Sequence, residues 1–560
     1  MSTPLAGPAQ ALRSVRQAGS SVRRAVRRRT AGPWHAVVEE LGPDRLRGWV
    51  EVPLGAAPLR VGVFVNGVEV VATWTCDRIS RTVTAEVRGF SLPLRDLWSY
   101  TRRSDRVSVR IDGVRLPIAG HGLWLTPAQD GAEGLPRLRK ELASGRVFGP
   151  TGRLQQSRAL STGWQRRVLG LYAEVRAVLA AELGYDAFLA YGTLLGAVRE
   201  GGFVAHDQGF DAAYVSKHTD PGKAARELQE IAFLLVEHGF EVEGRRAALR
   251  VSDAEDPRAR IDLFHLFFDE GGTLRYPFGA AGTNPVTRAD WQGVRETDLA
   301  GARVVVPVRA EQLVEALYGS CWRLPVPGFD WAVNRTEAAA EAQLPPAYRE
   351  EVYWASFYAR NDFSSGSTFQ EHVQARGGLP DTVIDLGCGQ GRDSFAFATA
   401  GRTVMGIDRS HVGIRHAAAK AEQVGLAGRL SFAACDVSDG AALSAVLEQV
   451  RERARGGPVL FYARFFLHSI PEDVQEALLT IVASSARPGD AFAAEFRTDR
   501  DEAAAKVYTK HYRRFQNGPA FGQRLAAVHG WKVVEEQEGT GLSPYRGEDP
   551  ELYRVLARRP

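Results

Sequence analysis

The chain has 560 residues, too many for one core at roughly 150 residues per domain. Its 44% apolar and 24% charged content is that of a folded, water-soluble protein, and no apolar run approaches the ~20 residues of a membrane span. The four cysteines have neither metal-ligand spacing nor a disulfide framework, and the formal charge of +4 is held in one short tail.

That tail is residues 1–33. It carries Arg13, Arg16, Arg23, Arg24, Arg27, Arg28 and Arg29 and no acid, and without these seven the formal charge would be −3. Leu12, Val15, Val22 and Val26 fall near helical spacing. The tail reads either as a solvated, disordered arm or as a basic amphipathic helix on an anionic membrane surface. No aromatic residues are interleaved with the arginines, so no nucleic acid is expected. No hydrophobic segment follows them, so no signal peptide is expected. The expected location is the cytoplasm, with peripheral contact at the inner membrane face as the alternative.

Residues 34–125 read as short alternating strands over Leu46–Val52, Leu59–Val65, Val68–Thr73, Thr82–Val87 and Val107–Ile111, with hairpin turns at Asn66-Gly67 and Asp112-Gly113. This predicts a small accessory β-sandwich. Trp49, Trp74 and Trp98 serve either its core or a sugar platform. Residues 126–160 are a connector, helical near Leu138–Leu142.

Residues 161–345 open with a helical stretch over Gln165–Leu183. A strand, a Gly192-Thr193 turn and a helix follow within Phe188–Phe203, and then His206, Asp207 and Asp211. Together with Arg260-Ile-Asp-Leu-Phe264 and Leu317-Tyr-Gly-Ser-Cys-Trp322, this region resembles the LicD/fukutin-related phosphotransferases. The resemblance implies a nucleotidyltransferase-like α+β fold. It also implies transfer of an alditol phosphate or phosphocholine from a CDP-linked donor, with Asp207, Asp211 and Asp262 as metal ligands for Mg²⁺ and Asp211 and Asp262 as catalytic. Carboxylates on adjacent strands suit a hard cation that neutralises pyrophosphate. Gly192-Thr193 at a helix start would hold phosphate oxygens. His206 is read as a base, a phosphate contact or a packed ring. Gly209 stands where the family has an acid, which thins the cluster. On a continuous strand, Asp207 and Asp211 would lie about 13 Å apart. The competing reading is a retained fold that only binds or docks.

Residues 346–560 centre on Val383-Ile-Asp-Leu-Gly-Cys-Gly-Gln-Gly391: a buried strand, three glycines at alternate positions and a helix from Arg392. Further strands are predicted over Thr403–Ile407, Leu430–Ala434 and Pro458–Tyr462, followed by Asp408, by Cys435-Asp436 and by Arg464 to His468. Acids at successive strand ends beside a glycine loop are a cofactor signature. The pattern resembles the class I S-adenosylmethionine-dependent methyltransferases, which implies a Rossmann-like, mostly parallel sheet. By that resemblance Asp385, Gly387, Gly389 and Gly391 cradle the methionine end, Asp408 takes the ribose hydroxyls and Asp436 the adenine amine. His468 is the candidate base for a hydroxyl acceptor. Arg464, Arg497, His511, Arg513 and Arg514 would favour an anionic acceptor. Trp354, Phe357, Tyr358, Phe363 and Phe369 form an aromatic entry segment. The closing strands are expected over Ala491–Phe496, Trp531–Glu536 and Leu552–Ala557.

The expectation is therefore a multidomain α/β methyltransferase that acts on a surface glycan, its precursor or a phosphate substituent. The alternatives are a small-metabolite methyltransferase with an inert middle domain, and a glycan-binding scaffold.

Overall fold

A computed structural model describes residues 34–253, 257, 259–329, 336–360, 365–506, 512–545 and 547–560. The basic tail, Phe363 and His511 lie outside the described residues. The described residues pack as two compact units, one drawn from 34–225 and 257–343 and the other from 226–253 and 344–560. The stretch read from sequence as one domain over 161–345 therefore contributes to both.

In the first unit, His35–Leu41, Arg45–Pro53, Ala85–Pro93 and Asp77–Arg81 form one four-stranded sheet, in that order. Val68–Trp74, Arg60–Val65, Val107–Ile111 and Val114–Arg115 form a second. All neighbours are antiparallel. Val61, Val63 and Val65 alternate inward and are fully buried, as are Val107, Val109 and Ile111. Both sheets share one core. Asn66 and Gly67 take φ of 50° and 83°, and Asp112 and Gly113 take 49° and 79°, the left-handed pair that a two-residue hairpin needs. The strand expected over Thr82–Val87 is interrupted. The Thr82 hydroxyl accepts from the Ala85 N–H at 3.0 Å, a local turn that ends one strand and starts the next. Trp49, Trp74 and Trp98 are half-buried, and Trp98 packs on the core.

Further along the first unit, the helix Thr162–Leu183 ends at Gly184 in the left-handed region. Phe188–Leu189 and the helix Tyr191–Arg199 follow. The strand Asp211–Val215 runs parallel to Arg260–Phe268 and sets Asp211 beside Asp262.

The second unit is a mixed α/β fold around a seven-stranded sheet. Its order is Leu430–Ala434, Thr403–Asp408, Thr382–Leu386, Val459–Arg464, Ala491–Arg497, Leu552–Arg558 and Lys532–Gly539. The first five are parallel, and Leu552–Arg558 runs antiparallel to both of its neighbours. Every residue of Ala491–Arg497 is buried, as befits a strand covered on both faces. The chain leaves Thr382–Leu386 towards one side of the sheet and returns to its other side at Val459–Arg464. This reversal opens a crevice at the carboxyl ends of the strands. Among the described residues no helix is long and apolar enough to cross a membrane.

Candidate functional site

A cavity of about 570 Å³ opens at that crevice, and Asp385, Gly387, Asp408, Asp436 and His468 all line it. Folding thus brings together residues up to 83 positions apart in sequence. Gly387, Gly389 and Gly391 take φ of 73°, 58° and 79°. A methyl on Gly389 would meet the Tyr358 ring at 2.5 Å, and one on Gly391 would meet Phe432 at 2.6 Å. No other residue type fits these positions of the loop.

Each strand-end acid is held by a short-range donor. The Asp408 carboxylate accepts from the Gly389 N–H at 3.0 Å and the Ser410 N–H at 2.8 Å. Burial raises its pKa against these two donors. Asp436 is exposed and accepts from the Ser438 N–H at 2.9 Å. Asp385 is 3% exposed and accepts from the Ser394 hydroxyl at 2.6 Å. Burial and the neighbouring Asp393 push its carboxyl up to about 7.

Asp393 is the member of this cluster that the sequence reading missed. It lies in the first turn of the helix Arg392–Thr399, where an acid is unremarkable. In the fold it is buried and accepts from the hydroxyls of Tyr462 at 2.6 Å and Ser367 at 2.8 Å. The Arg464 guanidinium stands between this cluster and the buried Glu495, 3.9 Å from Asp393 and 3.2 Å from Glu495.

The acceptor side holds His468, 4% exposed. Its Nδ1 accepts from the Arg497 backbone N–H at 3.3 Å. Nδ1 is then the unprotonated nitrogen, and the neutral ring carries its proton at Nε2. The expected positive charge is largely answered within the site. Arg497 pairs with Asp501 at 2.7 Å and with Glu548 at 2.6 Å. Arg464, Arg497 and Arg513 line the cavity, and Arg514 donates to Gln475 at 2.5 Å. Phe465, at φ 51°, turns the chain sharply after Arg464. The aromatic entry segment becomes the helix Pro346–Arg360, whose Trp354, Phe357 and Tyr358 face the same cavity.

The acids of the middle region come together by a route that the sequence reading did not foresee. Residues 207–210 are not strand, so the 13 Å spacing does not apply. A methyl on Gly192 would overlap Asp207 Oδ2 and lie 3.4 Å from Asp211 Oδ2, so the two carboxylates are close neighbours. The Gly209 N–H donates to Asp207 at 3.0 Å and the Gly192 N–H to Asp211 at 3.1 Å. Thr193 accepts from the Asp211 N–H at 2.8 Å. The Gly192-Thr193 groups expected to hold phosphate therefore bond to Asp211. Burial raises the pKa of Asp207, with Asp262 adding to it. Burial and the Arg199 charge push His206 down to about 4, which leaves it neutral near pH 7. Tyr318, given no role from sequence, is raised well above the usual tyrosine range by burial and by Asp211 and Asp207. Among the described residues no group of three or more His, Cys, Asp or Glu side chains is arranged to hold a metal ion. Among the described residues no cysteine is in a disulfide.

The topology, the glycine cradle and the strand-end acids define the second unit as a doubly wound cofactor-binding domain. Residues 380–448 match a family model described as a methyltransferase domain, and this is the chemistry that domain carries. Residues 184–309 match the model described as "LicD/FKTN/FKRP, nucleotidyltransferase domain". Among solved structures, the chain is similar to 1,6-didemethyltoxoflavin-N1-methyltransferase of Burkholderia thailandensis, at 22% identity over 34% of this chain and 76% of that one, with a TM-score of 0.25. It is similar to the magnesium protoporphyrin IX methyltransferase ChlM of Synechocystis PCC 6803 at 15% identity, over 41% of this chain and 88% of that one, with a TM-score of 0.25. It is also similar to the glycopeptide N-methyltransferase MtfA at 15% identity, over 36% of this chain and 93% of that one, with a TM-score of 0.26. Comparison of the full sequence with curated proteins gave no significant match.

Proposed function

We propose that the protein is an S-adenosylmethionine-dependent methyltransferase that modifies a surface glycan, its precursor or a phosphate substituent on it. One observation carries the reading: Asp385, Gly387, Asp408 and Asp436, at the carboxyl ends of successive parallel strands, line a single cavity. The residues fit the cofactor. Three positions of the loop admit only glycine, Asp385 is an acid suited to an ammonium, and Asp408 offers a carboxylate to a ribose diol. When bound, the cofactor supplies a methyl group on a sulfonium, which needs little acid–base help and mainly alignment. His468, the candidate base, lines the same cavity, where it would meet the acceptor. Calorimetry with S-adenosylhomocysteine on the full chain tests the reading, and absence of binding would sink it.

The glycan half of the proposal rests on the LicD-like stretch in the same chain. A second activity there, phosphotransfer from a CDP-linked donor with Mg²⁺, is favoured by one arrangement: Asp211 and Asp262 side by side, with Asp207 folded against Gly192. Arg260, two residues before Asp262, lies on the same face of its strand. It would meet a donor phosphate. A cytoplasmic location, with the basic tail at the inner membrane face, completes the proposal.

A further inference from the structure

The helix Pro346–Arg360 has two working faces. Glu350, Trp354, Phe357 and Tyr358 recur at helical spacing and line the cofactor cavity. Tyr358 lies on the glycine loop itself. Its ring stands against Gly389, and its carbonyl accepts a hydrogen bond from Gln390. Tyr348, Arg349, Glu351, Ser356 and Arg360 of the helix meet residues 226–254, which belong to the same compact unit. The Val242 N–H donates to the Ser356 hydroxyl at 3.1 Å, and both residues are 2% exposed. Gln229 donates to Glu351 at 2.6 Å, Arg226 to the Tyr348 hydroxyl at 3.0 Å, and Arg360 pairs with Glu241 at 2.8 Å. A methyl on Gly244 would lie 3.1 Å from the Arg349 Cα, so the hairpin strand Glu241–Gly244 is packed directly on the helix backbone.

None of residues 226–254 lines the cavity, yet they lie within the stretch that matches the nucleotidyltransferase-domain model. We infer that residues 226–254 set the cofactor affinity of the methyltransferase domain by holding the helix Pro346–Arg360 over the glycine loop. They are positioning residues, acting through Ser356 and the Arg349 backbone on Glu350, Trp354 and Tyr358. A rigid helix transmits a shift at one face to the other, because packed elements slide rather than deform. The inference rests on the methyltransferase reading above and adds a dependence which that reading does not require.

The test uses the full chain and S-adenosylhomocysteine. In the wild type, the ligand should slow amide hydrogen exchange in Pro346–Arg360 and also in the hairpin 241–252, which it does not touch. Gly244→Val wedges the hairpin off Arg349 and should weaken binding about tenfold, ~1.4 kcal/mol. Ser356→Ala should do the same to a lesser degree. Protection confined to the helix, or unchanged affinity in a folded Gly244→Val protein, overturns the inference and leaves the methyltransferase reading intact. No binding in the wild type removes the reading itself, and the inference with it.

Discussion

The two acidic clusters use the same side chain for different ends. Asp385 and Asp408 sit near the carboxyl ends of parallel strands and line a large cavity, with Arg464 close by. Asp211 opens its strand and Asp262 lies near the start of its own. The middle carboxylates are bound by the backbone N–H groups of Gly192 and Gly209. Main-chain donors hold carboxylates in both regions, Asp408 by Gly389 and Ser410 as Asp211 by Gly192, and the first cluster is marked out by the cavity that it lines.

The sharpest break in this comparison is Gly389→Val. The glycine's φ of 58° and the Tyr358 ring at 2.5 Å leave no room for a side chain. Binding of S-adenosylhomocysteine should fall at least about 100-fold by calorimetry, with the far-ultraviolet circular dichroism unchanged.

Asp408→Ala comes next. It removes a ligand carboxylate and frees the Gly389 and Ser410 N–H groups. Hydrogen bonds to charged groups are worth roughly 1.5–3 kcal/mol, so affinity should drop about 10- to 100-fold. Unchanged binding would remove Asp408 from the site.

Asp385→Asn should pull stability and binding in opposite directions. The Asp385 carboxyl lies at about 7 in the fold against an ordinary 3.8. Between those values the folded chain holds a proton that the unfolded chain has lost. Stability therefore falls as pH rises through that window, and the loss is complete above about 7. Asparagine has no such proton. The variant should melt a few degrees above the wild type near pH 8, with the gap closing towards pH 5, while its cofactor affinity falls. A gap that does not close would remove Asp385 as the titrating group.

The smallest effect sharpens the contrast from the other side. Asp211→Asn should leave S-adenosylhomocysteine binding unchanged. If the middle cluster binds metal, Mn²⁺ followed by electron paramagnetic resonance should associate weakly with the wild type, more tightly with a cytidine diphosphate ligand, and not at all with the variant. An undiminished free-Mn²⁺ signal in both wild-type samples would leave methylation as the protein's chemistry.

Much of the C-terminal fold was legible because its central strands are buried on both faces. Such strands read as apolar runs that end in a polar residue. Leu430–Ala434 was read on the residues where it occurs, and Thr382–Leu386 and Leu552–Arg558 within one residue at an end. The glycine loop was legible because glycines at alternate positions mark left-handed backbone that other residues avoid. What stayed hidden depends on distant partners. The loop at 207–210 brings Asp207 to Gly192, which no local pattern records. Asp393 looked like an ordinary helix-start acid until Tyr462 and Ser367 converged on it. The packing of residues 226–254 on Pro346–Arg360 has no signature at all, since hairpin and helix are about a hundred positions apart.

That packing bears on how such a chain can be inherited. By sequence, Pro345-Pro346 reads as a seam between two independent pieces. A recombination event there would carry off the helix Pro346–Arg360 and leave its backing strand Glu241–Gly244 behind. The recipient would gain every residue that lines the cavity and lose the surface that keeps one wall in place. A chain divided at the double proline therefore parts this helix from the strand packed on it.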